Sequence, residues 1–140
     1  MKNGINFSVV EAGSFGDLLS VTEGPAAGKY FLKDKLGLTG MEVSLNQLPE
    51  GAEVPFYHTH RENEELYLFI GGCGQFQVDG KIFSVKEGTA VRVKPEGERT
   101  LRNNGNGDLY FIVIQAQADS LRQWVMTDGV ILDKPVSWAE

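Results

Sequence analysis

Hydrophobic and polar residues alternate along this chain in short runs. Turn-forming residues interrupt them about every eight to twelve positions, the rhythm of an all-β sandwich or barrel. Segments 5–10 and 17–21 read as short strands, and Gly24-Pro25-Ala26-Ala27-Gly28 breaks the chain before another at 29–32. Over 41–48, Met41, Val43 and Leu45 alternate with Glu42, Ser44 and Asn46, as on a half-buried strand, and Pro49-Glu50-Gly51 turns it onward. A β-type run at 66–70 ends in the flexible turn Gly71-Gly72-Cys73-Gly74. Asp79-Gly80, between runs at 75–78 and 81–85, is a two-residue hairpin signal. Glu87-Gly88 and Pro95-Glu96-Gly97 bound a strand at 89–94, and 104–108 is a further polar turn. The apolar run 109–114 does not alternate, so both of its faces are expected to be buried. One short helix is expected at 119–123, capped by Asp119 or Ser120, with a last hairpin over 124–132 around Asp128-Gly129. An antiparallel jelly-roll β-barrel of eight or more strands accommodates such a series, since closure hides sheet edges and the mouth makes a ligand pocket.

Composition narrows the class. The chain has 140 residues, 41% of them hydrophobic, enough for one domain with a substantial core. No repeat or linker divides it, so a single domain over 1–140 is expected. The net charge is −6 and no basic cluster stands out, which argues against nucleic acid and against an anionic membrane surface as partners. One cysteine cannot form an internal disulfide, and neither a leader pattern nor a span-length apolar stretch is visible, so a cytoplasmic setting is expected. The apolar strands exceed what one small barrel interior holds, which predicts a homodimer; Trp124 and Trp138 in the tail fit packing or dimer contact.

Chemistry concentrates in 51–72. Both histidines of the sequence are here, as His58-Thr59-His60. In an extended segment, residues two apart share a face and are separated by about 6.6 Å along the strand. Four residues on, Glu65 opens the next strand, whose return can set its carboxylate beside the imidazoles. Two imidazoles and a carboxylate suit a divalent first-row ion and leave coordination positions open. The alternative is an ordinary polar face. Glu64, the neighbouring carboxylate, should face the other way.

The series Gly51, His58, His60, Glu65, Gly72 resembles the first motif of the cupin family of small β-barrels, with one extra residue before His58. Gly88, Pro95, Gly97 and Asn104 resemble the second, with Thr100 at the place of the family's histidine. The resemblance covers 41–115, leaving strands within 5–34 and the tail 119–140 as extensions. It implies His58, His60 and Glu65 as metal ligands and Thr100 as a group bonding metal-bound water or substrate. It also implies that N-terminal strands join a partner's sheet.

Three functions follow as alternatives. The first is a metal-dependent enzyme acting on a small polar molecule, a dioxygenase, lyase or isomerase, with Fe, Mn, Ni or Zn held by His58, His60 and Glu65 and with Thr100 and Tyr67 positioning the substrate. The second is a metal-free isomerase or epimerase using His58 or His60 as base and a tyrosine as acid. The third is a non-catalytic module that binds a small ligand. Tyr67 and Phe69 share a strand face with Glu65 and either line the pocket or fill the core. Of Arg92, Arg99 and Arg102, an inward-pointing one would select an acidic substrate; a solvated strand face is the alternative. Cys73 reads as inert.

Overall fold

The computed structural model describes residues 2–139. Met1 and Glu140, included above in the single domain over 1–140, lie outside the described residues. Among the described residues ten strands occur in chain order: β1 (Lys2–Asn3), β2 (Ser8–Val9), β3 (Lys29–Phe31), β4 (Glu42–Leu48), β5 (Asn63–Gly71), β6 (Cys73–Val78), β7 (Lys81–Lys86), β8 (Ala90–Val93), β9 (Arg99–Arg102) and β10 (Leu109–Gln117). Apart from the β1–β2 ribbon, they form two antiparallel sheets, one in the order β3-β4-β10-β5-β8 and one in the order β7-β6-β9. This is the expected jelly roll. Among the described residues, no helix is long and apolar enough to cross a membrane.

Inward rows from both sheets make the core. Phe69 of β5 and Phe111 of β10 lie 5.3 Å apart by ring centroid, and Phe69 and Tyr67 of β5 meet Phe76 of β6 edge-on across the barrel. Val85, Val93, Leu101 and Leu109 close the same cluster. β10 lies between β4 and β5, which explains why its sequence is apolar without a break: Leu109, Phe111 and Val113 are buried, and Tyr110, Ile112 and Ile114 are half-buried. The Asp79-Gly80 turn is as expected. Both residues take positive φ, 51° and 82°, as a type I′ hairpin requires.

Four local expectations do not hold. Segment 17–21 is helical rather than extended: Ser14 accepts the Gly16 N–H and starts a 3₁₀ turn, Phe15–Asp17, which continues as α1 (Leu18–Val21) and buries Leu18 completely. A second single-turn helix, α2 (Lys33–Leu36), follows β3. The helix at 119–123 does not form, because Asp119 takes a left-handed φ of 61° that cannot continue a helical turn; a 3₁₀ turn appears instead at Met126–Asp128. The hairpin over 124–132 is likewise absent, and its residues are exposed with no sheet beside them. In β4 the polarity is inverted, since Ser44 and Asn46 are buried while Val43 and Leu45 are only half-buried. Their side of the strand faces a cavity, as described next.

Candidate metal centre

His58 and His60 lie on an irregular segment between β4 and β5, held in extended form by the ends of the second motif. The His58 N–H donates to the Arg99 carbonyl at 3.1 Å and the Arg99 N–H returns the bond at 3.2 Å, while the His60 N–H donates to Pro95 O at 2.8 Å. Thr59 between them is exposed, so the two-residue period turns both imidazoles inward. Glu65, on β5, is 4% exposed and meets them. His60 Nε2 lies 3.2 Å from Glu65 Oε2, and His58 Nε2 lies 3.5 Å from Oε1. Glu65 Oε1 accepts two further hydrogen bonds, from the Tyr67 hydroxyl at 2.8 Å and from Arg99 Nη1 at 2.7 Å.

These contacts fix the charge of the carboxylate. Burial raises its pKa, but bonds from His58, Tyr67 and Arg99 and the proximity of His60 outweigh burial and pull it down to about 2. Burial and the adjacent Glu65 charge push the Tyr67 phenol far above its usual value, so it stays protonated and donates.

The donor set fits a metal ion. Ligand atoms of His58, His60 and Glu65 all lie within 4.8 Å of one another. Two donors bound at about 2.1 Å to one ion sit roughly 3.0–3.4 Å apart, and His60 Nε2 and Glu65 Oε2 lie 3.2 Å apart. Buried His60 Nε2, which faces Glu65, has no hydrogen-bond partner among the described residues, an expensive arrangement unless a ligand binds there. Arg99 limits the fit. With Oε1 taken by the guanidinium and Tyr67, Glu65 has Oε2 to offer.

Arg99 is the residue that sequence reasoning misplaced. It is fully buried, and besides Glu65 it donates to the carbonyls of Lys94, Pro95 and Gly97. Asn103 is also buried, its Nδ2 donating to Leu48 O and Gly107 O and its Oδ1 accepting from Gly105, whereas Asn104 is exposed. The motif's asparagine is therefore Asn103, and the position four before it, facing the histidines, is Arg99. Thr100 points to the other side of β9. Its hydroxyl donates to Val54 O at 3.1 Å and lines a separate groove of about 400 Å³ with Tyr57 and Gln77. That groove is larger than the one at the histidines, but among the described residues it contains none of the cluster. Thr100 thus stands away from the centre.

Tyr67 does reach the cluster, while Phe69 belongs to the core and Glu64, on the opposite face of β5, is half-buried. Arg92 and Arg102 are exposed, Arg102 bonding Gln75, and Cys73 is an exposed free thiol. A cavity of about 250 Å³ opens on the centre, walled by Ser44, Tyr67 and Gln115 and by Lys29, a residue the sequence reading passed over. The one signal for Lys29 was a charged residue opening an otherwise apolar short strand.

A double-sheet antiparallel roll with paired imidazoles and a carboxylate on its inner wall defines a class of small barrel proteins. The chain belongs to that class, the cupins: residues 44–115 match the family model described as Cupin domain. A cupin protein of Bacteroides fragilis, BF4112, is 36% identical, with TM-score 0.73 over 94% of this chain and 99% of its own. A protein of Thermotoga maritima described as a predicted oxalate decarboxylase is 28% identical, with TM-score 0.51 over 54% of this chain and 64% of its own. Among curated sequences, the uncharacterized protein MJ1618 of Methanocaldococcus jannaschii is 30% identical over 69 residues; the match spans 48% of this chain and 54% of that relative.

Proposed function

We propose that this cupin holds a divalent transition metal, one of Fe, Mn, Ni or Zn, through His58, His60 and Glu65 and acts there on a small polar molecule. The observation that carries this reading is the buried, unpartnered His60 Nε2 set 3.2 Å from a carboxylate oxygen that no other donor occupies among the described residues. When bound, the ion supplies Lewis acidity and open coordination positions, the chemistry of dioxygenases, lyases and isomerases. The chain's own groups do the rest. Arg99 and Tyr67 hold Oε1, so Oε2 is presented in one orientation. The aromatic wall behind Tyr67 excludes water from the buried side. The cavity is smaller than the roughly 300–1,000 Å³ of drug-sized sites, which suits a substrate of few atoms.

Elemental analysis of protein purified without added metal or a histidine tag, followed by titration with the four ions, tests this. One ion per chain, lost in His60→Ala, is expected. Wild-type protein that takes up none of them overturns it.

One observation favours a second reading. Arg99 already neutralises Glu65, so the charge balances without an ion, and a metal-free isomerase or a ligand-binding module remains compatible with the same pocket. Turnover or ligand binding that survives chelation would favour it.

Homodimerisation belongs to the same proposal. It is supported by the arm after β10, where nine large apolar residues between 121 and 138 are exposed. Among the described residues, the side-chain and loop hydrogen bonds within 120–139 join near neighbours in sequence.

A further inference from the structure

The cavity at the candidate metal centre contains a cation that forms no ion pair among the described residues. Lys29, on β3, pairs in register with Asn46 of β4, and its Nζ donates to Asn46 Oδ1 at 2.8 Å. Asn46 is locked in place: its Nδ2 donates to the Ser44 carbonyl and hydroxyl and to Phe111 O, which leaves Oδ1 to hold the ammonium. Among the described residues, no carboxylate oxygen lies within 4.0 Å of Nζ. The two acidic residues lining the cavity are engaged elsewhere. Glu65 is held by Arg99 and Tyr67, and Glu42 Oε1 accepts the N–H groups of Lys33 and Val43. An ammonium has three donors, and here one is spent on a neutral amide. Its surroundings are dry enough that burial pulls the Lys29 pKa below its usual value, against the opposing pull of Glu65.

We propose that Lys29 is the specificity residue of this cavity and that the molecule it selects is a small carboxylate, one end pairing with Nζ while the other approaches His58, His60 and Glu65. The proposal rests on the cavity being the ligand site described above. A carboxylate fits better than a phosphate ester. A doubly charged phosphate is usually gathered by several donors, often an arginine fork or a row of backbone amides. Here the free donor is one ammonium, since Arg99 is fully engaged. Ser44 Oγ, which accepts from Asn46 and keeps its own proton to donate, offers a partner for a hydroxyl or keto oxygen of the same ligand.

The test compares lactate with lactamide, its neutral counterpart of equal size, by calorimetric titration of the full chain after loading with each metal and again without metal. Lactate is expected to bind at least about tenfold more tightly than lactamide, the effect of one charge-assisted contact. Lys29→Gln should lose that margin while keeping a cooperative thermal transition and the wild-type metal content per chain. Lys29→Arg should keep most of it. Equal binding of lactate and lactamide, absence of lactate binding, wild-type lactate affinity in Lys29→Gln, or inorganic phosphate binding more tightly than lactate each overturns the assignment. If Lys29→Gln does not fold, Lys29→Met and the metal-free wild-type titration take its place, because a loaded ion would itself favour lactate over lactamide. Metal content read on the same samples keeps the two proposals apart. A lactate preference that depends on Lys29 in protein that takes no ion retires the metal and keeps the lysine. A loaded ion with no such preference does the reverse.

Discussion

Arg99 has no exposed surface, and its three guanidinium nitrogens all donate to groups of the fold, one bond reaching Glu65 across 34 positions of sequence. Replacing it with methionine keeps the stem but leaves a buried carboxylate and three turn carbonyls short of donors. We expect Arg99→Met to cost about 3–5 kcal/mol in urea denaturation, the range for breaking one side of a buried pair. Lysine at this position should recover little, because an ammonium cannot reproduce the fork. A paired measurement tests the motif register: Asn103→Ala should lose about 2 kcal/mol, and Asn104→Ala should stay within about 0.5 kcal/mol of wild type. His58, His60, Glu65 and Tyr67 were legible because a two-residue period survives even in an irregular segment. Arg99 was not. Adjacent asparagines offer two registers differing by one residue, and on a strand a one-residue slip exchanges the inner side chain for the outer one. Burial, which only the folded chain reveals, decides between them.

At the scale of elements, strands were easier to read than helical turns. A strand such as β10 announces itself through six successive apolar residues, and the β6–β7 hairpin through Asp79-Gly80. α1 and α2 are four residues each, too short to show a helical period, and exist through a cap and one buried leucine or through the strand that precedes them. β4 misleads for a different reason. Alternation identifies two faces but not which one looks inward, and here the inward side opens on a cavity that Ser44 and Glu42 line. Tight connections carry their own constraint. Gly72, at φ 82° between β5 and β6, has no room for a Cβ, which would collide with the carbonyl oxygen of Asp108. Gly72→Ala should therefore destabilise by more than about 2 kcal/mol in thermal or urea unfolding, combining a left-handed backbone with a backbone clash. Gly107→Ala, also at φ 82° but with open space around its Cβ, should cost less than Gly72→Ala.

Across the whole molecule, apolar surface is distributed unevenly. The barrel buries its aromatic rows, while Trp124, Ile131 and Trp138 of the arm stand free, Ile131 at 99% exposure. A stable association needs about 800 Å² from each partner, and an arm with nine large apolar residues is of the right order to supply it. In the proposed homodimer a second copy would bring both a matching arm and a matching body, so mutual exchange of arms would close as a two-fold pair instead of propagating. Light scattering of the full chain should give twice the 15.4 kDa chain mass, and Trp124→Asp combined with Ile131→Asp should return it to one chain with the barrel still folded. A monomeric wild type across the micromolar range would refute the exchange. The arm also sets where the molecule is vulnerable. A lone copy in dilute solution presents some twenty exposed residues outside the sheets to any protease, and the first cut should fall just past residue 118, sparing the barrel. Resistance that rises with protein concentration would report the arrival of the second copy.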